Sequence, residues 1–331
     1  MLNQSLKLNT KIFNTDVEKK STRQGFGEGL LKVGMDNEKI VALCADLTES
    51  TRVNLFADKF PERFIQVGIA EQNMASVASG LSAMGKIPFM ASYAIFSPGR
   101  NWEQIRTTIC YNNQNVKIIG SHAGLSVGPD GGSHQMLEDL ALTTVMPNLV
   151  VISPCDYFEA KKATLAMAET LDPTYLRLAR NDTPIITTEE TSFVIGKGQI
   201  VFSPDSGLAQ VGLIATGPIL YSALMAAKKL EAEGYRVKVL NIATLKPLDQ
   251  DIIISLAKET KYIVTIEDHQ VTGGMGSAVA SCLAENYPTK IDFIGVKDSF
   301  GQSGSPEELA KYYRIDTESI VEKIKETLKK N

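Results

Sequence analysis

Short runs of β-branched and other apolar residues alternate along this chain with longer stretches whose apolar positions recur at helical spacing. That alternation predicts parallel βαβ units. In the first half the predicted strands are KIVALCA (39–45), IPFMAS (87–92), VKIIGS (116–121) and LVVIS (149–153). Between them TRQGFGEGLLKVGMDN, EQNMASVASGLSAMG and RNWEQIRTTICYNN carry the three-and-four spacing of helices with one buried face. Over 182–206 the pattern breaks into DTPIITTEETSFVIGKGQIVFSPDSG, rich in Thr, Ser, Gly and Pro, which predicts a domain boundary with an edge hairpin. A second alternation follows: QVGLIAT, a helix over 218–233, YRVKVLNI, a helix over 249–259 and YIVTIED, then helical GGMGSAVASCLAEN and SIVEKIKETLKK. The expected fold class is α/β with two doubly wound domains, a parallel-sheet domain over 21–185 and a smaller one over 206–331. Residues 186–205 form the expected linker, and 1–20 a polar, partly mobile lead-in.

Composition narrows the function classes. With 331 residues, 44% hydrophobic and 22% charged, the chain holds enough apolar material for about two cores. The net charge of -4 and basic runs no longer than a lysine pair, such as Lys329–Lys330 at the tail, argue against nucleic-acid or anionic-membrane partners. No stretch reaches the ~18 consecutive apolar residues of a membrane span, and the N-terminus lacks the apolar core of a secretory signal. Cys44, Cys110, Cys155 and Cys282 include no CxxC pair, so neither a disulfide framework nor a zinc knuckle fits. A soluble cytoplasmic protein is the expectation.

Four segments carry candidate chemistry. In VGIAEQNMASVASG (67–80), Glu71 meets the first turn of a helix. A first-turn Glu complements the helix dipole. Held among Ile69 and Met74, it would instead be a desolvated carboxyl of raised pKa, able to share a proton with a ring nitrogen. In ASYAIFSPGRNWEQIR (91–106), Tyr93 and Phe96 at a strand's carboxyl end fit either the core or an aromatic slot for a planar heterocycle. In GSHAGLSVGPDGGSHQMLEDL (120–140), His122, Asp130 and His134 surround a Gly-rich loop. Plain turns, a metal site and a polyol or phosphate site all remain open there, the last being the most natural for these groups. In TIEDHQVTGGMGSAVA (265–280), Gly274 and Gly276 make a GxG after a strand, but Val279 stands where a dinucleotide fingerprint needs Gly or Ala. The nucleotide signal is therefore weak, and close helix–strand packing explains these glycines better.

Taken in order, ADLTEST (45–51), FPERFIQVGIAEQNM (60–74), FSPGRNWEQIR (96–106), the 120–140 segment, YLRLAR (175–180), TLKPLD (244–249) and EDHQVTGGMG (267–276) resemble the C-terminal half of a transketolase, from about residue 22 to 328. The resemblance implies a pyrimidine-binding domain followed by a transketolase C-terminal domain, and thiamine diphosphate-dependent transfer of a two-carbon ketol unit between sugar phosphates. It makes Glu71 the carboxyl that hydrogen-bonds the aminopyrimidine ring, with Tyr93 and Phe96 lining the ring slot and Asp46 and Leu47 near the cofactor. Arg23, Ser50, His122, Asp130, His134 and Arg180 match positions that hold the sugar phosphate. The family's Gly-Asp-Gly…Asn diphosphate motif is absent, since Asp130 follows Pro129. A split enzyme is therefore implied: a partner N-terminal subunit holds Mg2+ (or Ca2+) and the diphosphate, the assembly is a 2+2 heterotetramer, and this chain supplies no metal ligand. Pro129 departs from the acidic residue common before Asp-Gly, and the turn at Ser97–Pro98–Gly99 leaves the register of Arg100 open. Related readings are the beta subunit of a 2-oxo acid dehydrogenase and a deoxyxylulose phosphate synthase-like enzyme. More distant ones are a Rossmann dehydrogenase and a non-catalytic partner that has lost its site.

Overall fold

A computed structural model of the chain describes residues 1–329; Lys330, half of the terminal basic pair, and Asn331 lie outside the described residues. In chain order the strands of the first half are β1 (Lys19–Ser21), β2 (Ile40–Cys44), β3 (Phe64–Gln66), β4 (Ile87–Tyr93), β5 (Lys117–Ser121), β6 (Val150–Ile152), β7 (Thr174–Arg177) and β8 (Asp182–Pro184). Those of the second half are β9 (Gln199–Phe202), β10 (Val211–Ala215), β11 (Val237–Asn241), β12 (Thr244–Lys246), β13 (Ile263–Gln270) and β14 (Ile291–Val296). They form a seven-stranded sheet ordered β12-β6-β7-β5-β4-β2-β3, a five-stranded sheet ordered β14-β13-β10-β11-β9, and a ribbon of β1 with β8. Each main sheet is parallel except at one edge, β12 in the first and β9 in the second.

β2 and β5 are buried at every position, as central strands covered on both faces must be. One face is covered by helices Thr22–Asp36 and Tyr157–Ala168, with Phe26, Leu30 and Ala160 packed on Ile40, Phe89 and Ile119. These helices meet closely: a Cβ on Gly25 would lie 2.1 Å from the Tyr157 carbonyl oxygen. The opposite face packs helix Glu71–Ala83 through Met74, Ala75 and Ala78, in a core that continues through Ile214, Ile253 and Val279 of the second half. The third layer, outside the five-stranded sheet, is closed by helices Leu220–Ala232 and Thr317–Lys329.

Three expectations change. The predicted helix over 100–113 breaks into Trp102–Gln104 and a wider-pitched turn, Ile105–Cys110. Thr107 and Thr108 hydroxyls donate back to the Glu103 and Gln104 carbonyls at 3.0 and 2.6 Å, a bond that loosens helices. Residues 186–205 do not form a hairpin, because β8 pairs with β1 and β9 pairs with β11. The lead-in is packed rather than loose: Ile12 is fully buried, Leu2 bridges Phe202, and the Phe13 and Phe202 rings meet edge-on at 6.3 Å. Among the described residues no helix is long and apolar enough to cross a membrane. All four cysteines are free and buried.

Candidate active site at the carboxyl ends of the first sheet

β2, β4, β5 and β7 run parallel and end on the same side, and the segments that follow them converge there. Tyr93 ends β4 and His122 follows β5, so their rings stack at 3.8 Å with 22° between planes. Phe96 stacks on Tyr93 at 6.0 Å and meets His134 edge-on at 5.7 Å. The Arg100 guanidinium lies 4.1 Å from the Phe96 ring centroid, a cation–π contact. Glu71 opens its helix, and its buried carboxylate pairs with Arg100 Nη1 at 3.2 Å. Asn101 holds the Glu71 carbonyl at 3.1 Å. Ile69 faces solvent, 73% exposed, so Arg100 and Asn101 rather than Ile69 define the setting of Glu71. Arg100, whose register the sequence leaves open, lies between the Phe96 ring and the Glu71 carboxylate.

Asp46, just past β2, has φ +60°, and its amide donates to Gln66 Oε1 at 2.8 Å. Asp46, Leu47 and Ser50 line a shallow cavity of about 290 Å3. Arg23 reaches this loop from the first turn of its helix and donates Nη1 to the Ser50 carbonyl at 2.6 Å, while its buried Nε has no partner. Burial, then Arg52 and Arg180, lowers the Arg23 pKa, so the cations crowd one another. Arg180 donates to the Val127 carbonyl and lies 3.7 Å from Asp130. His122 has φ +55°, and Ser121 Oγ lies 2.9 Å from its Nδ1. Left-handed backbone at two non-glycine strand ends is strain of the kind that gathers at functional sites.

Burial, reinforced by Arg23 and Arg180, lowers the His122 pKa from 6.5 to about 3. The folded chain therefore keeps this imidazole neutral while the unfolded chain protonates it near 6.5, so the stability tied to neutral His122 is lost as pH falls from 6.5 toward 3. Imidazole NMR of the isolated chain should find His122 neutral at pH 5, and a midpoint near 6.5 would refute this.

The structure also assembles residues the motifs did not single out. Asp139 accepts Arg177 Nε at 2.9 Å and the Tyr175 hydroxyl at 2.7 Å, all three buried. Arg177 Nη2 donates to the Asp268 carbonyl at 2.8 Å. His269 Nε2 accepts the Leu140 amide at 3.1 Å, which places its proton on Nδ1, toward the Gln270 carbonyl at 2.7 Å. These residues lie inside the segments YLRLAR, 120–140 and EDHQVTGGMG, but nothing in the sequence joins the three segments. The glycines of the last serve packing: a Cβ on Gly274 would sit 2.1 Å from Glu267 Oε2, which accepts the Met275 amide at 2.7 Å. Among the described residues no group of three or more His, Cys, Asp or Glu is placed to hold a metal ion.

Fold and cleft are those of α/β enzymes that bind ligands beyond the carboxyl ends of a parallel sheet. Residues 18–185 match the transketolase pyrimidine binding domain and 205–320 the transketolase C-terminal domain. A putative transketolase C-terminal section from Methanocaldococcus jannaschii is 45% identical over 94% of this chain and 97% of its own length. The 6-deoxy-6-sulfo-D-fructose transketolase subunit SqwH of a Clostridium species is 35% identical over 93% of this chain and 95% of its own. Among solved structures, a split-gene transketolase described as an inactive beta4 tetramer superposes with a TM-score of 0.86 at 42% identity, covering 93% of this chain and 98% of that one. The chain belongs to the transketolase family.

Proposed function

We propose that this chain is the C-terminal subunit of a two-chain transketolase that moves a two-carbon ketol unit from a ketose phosphate to an aldose phosphate. The observation that carries the reading is one cleft holding a buried first-turn Glu71, a Phe96–Tyr93–His122 ring stack and the crowded cations Arg23 and Arg180. The orphaned Arg23 Nε supports an anionic ligand, because a buried donor without a partner is costly. The planar stack and carboxyl fit the aminopyrimidine end of thiamine diphosphate, with Asp46 and Leu47 beside it. Thiamine diphosphate supplies, when bound, the nucleophilic carbon of ketol transfer. Glu71 holds or shares a proton at its carboxyl oxygen, and Arg100 must yield part of its ion pair for that. Neutral His122, with His134 and Asp130, exchanges hydrogen bonds with sugar hydroxyls, while Arg23 and Arg180, with the Ser50 loop, take the terminal anion through charge-assisted bonds.

The diphosphate and its Mg2+ (or Ca2+) fall to an N-terminal subunit with the Gly-Asp-Gly…Asn motif, in a 2+2 assembly. Four buried free thiols accord with a cytoplasmic setting. Five- to seven-carbon sugar phosphates are the default substrates. A sulfonate fits the same cation pair, so the sulfosugar named for one relative belongs in the profile. Purified alone, the chain is expected to fold, to self-associate like the inactive tetramer of its structural relative, and to show no ketol transfer. Mixing it with the N-terminal subunit, thiamine diphosphate and Mg2+ should produce turnover. Turnover by the single chain, or none by the loaded pair, overturns the proposal.

A further inference from the structure

The 122–131 loop carries His122 and Asp130 and holds Arg180, yet much of its support comes from the other domain. At its first turn, Asp268 Oδ1, at the end of β13, accepts the Leu125 amide at 3.0 Å. Gly124 lies against the same carboxylate with φ +78°, and a Cβ there would sit 2.1 Å from Asp268 Oδ2. Asp268 is itself fixed from behind, its carbonyl accepting Arg177 Nη2 at 2.8 Å while Asp139 holds that guanidinium. From Leu125 the effect runs forward two residues: Ser126 Oγ accepts the Arg180 amide at 3.3 Å, and the Val127 carbonyl accepts the Arg180 guanidinium. Three residues back stands His122, strained at φ +55°. Farther along, Gln135 Nε2 bridges the Gly128 carbonyl at 3.1 Å and the Gln302 carbonyl at 2.9 Å, tying the loop a second time to the C-terminal domain.

We infer that Asp268 is a positioning residue: the C-terminal domain uses its carboxylate to set the loop that presents His122 and Arg180 to the substrate. The inference rests on the proposed transketolase reading for the word substrate, but its structural half does not. A partly buried carboxylate that seats one backbone amide and admits only glycine beside it fixes loop geometry more tightly than apolar packing would. The smaller domain then has a definite task in the reaction while touching none of the reacting atoms.

Two measurements separate this inference from the reading beneath it. Hydrogen exchange on the isolated chain needs no activity: Asp268→Ala should speed exchange across 122–131 while β10 and β11 remain as protected as in the unaltered chain. Unchanged exchange in the loop, or faster exchange throughout, overturns positioning. In the assembled enzyme, Asp268→Ala should raise the sugar phosphate KM by about tenfold with kcat changed much less, and Asp268→Asn, which keeps an acceptor oxygen toward Leu125, should recover most of that loss. KM within about twofold of the unaltered enzyme in Asp268→Ala, or equal loss in both variants, overturns the inference. An unaltered pair without ketol transfer instead overturns the transketolase reading, and the exchange result then decides the loop question alone.

Discussion

Glu71→Gln in the assembled enzyme is expected to lower kcat by about 10²- to 10⁴-fold, the usual worth of a positioned proton-transfer group, with thermal stability and subunit pairing little changed. Glutamine keeps the length and an oxygen for Arg100 at 3.2 Å, so the helix start and its Asn101 contact survive. What it removes is an oxygen that can exchange a proton with a ring nitrogen. Because the carboxyl is 3% exposed, water is poorly placed to stand in for it. Steady-state kinetics of the reconstituted pair, beside melting curves, make the check. Activity within about twofold of the unaltered enzyme would restore the reading of a partner without catalytic chemistry.

Asp139→Ala is expected to cost about 3–5 kcal/mol of folding stability, read by urea denaturation of the isolated chain. Asp139 is fully buried and neutralises Arg177, which is 5% exposed, through two oxygens at 2.9 and 3.2 Å. It also accepts the hydroxyl of fully buried Tyr175 at 2.7 Å. Truncation leaves Arg177 Nε and the Tyr175 hydroxyl without their acceptor and the guanidinium charge without its carboxylate, with only the Asp268 carbonyl still on Nη2, and the cost comes from that uncompensated charge rather than from the lost pair as such. A loss under about 1 kcal/mol would mean that water or Glu267 can replace the carboxylate.

The central strands were legible because they are apolar on both faces; β2 and β4 fall within a residue of their expected limits. β7 has no strand pattern of its own, since Thr174–Arg177 mixes a buried hydroxyl, a phenol and an arginine whose counter-charge lies 38 residues away. β12 had no local signal, because three residues become a strand only through β6. At the site each residue alone had a plain structural explanation, and order along the chain made the set readable. The Arg100–Glu71 pair spans 29 residues and the Asp268–Leu125 contact 143, distances at which spacing carries no information.

The two halves of the chain trade edges. β12 leaves the second half to flank β6 in the first sheet, while residues 1–13 leave the first half to cover Phe202 and its neighbours in the second. Each lobe is thus incomplete without a segment that belongs, by position, to the other. Severing the chain near residue 190 would yield two fragments, each with a bare strand edge and an uncovered apolar face, liable to aggregate. The lobes are interlocked and should melt as one cooperative body.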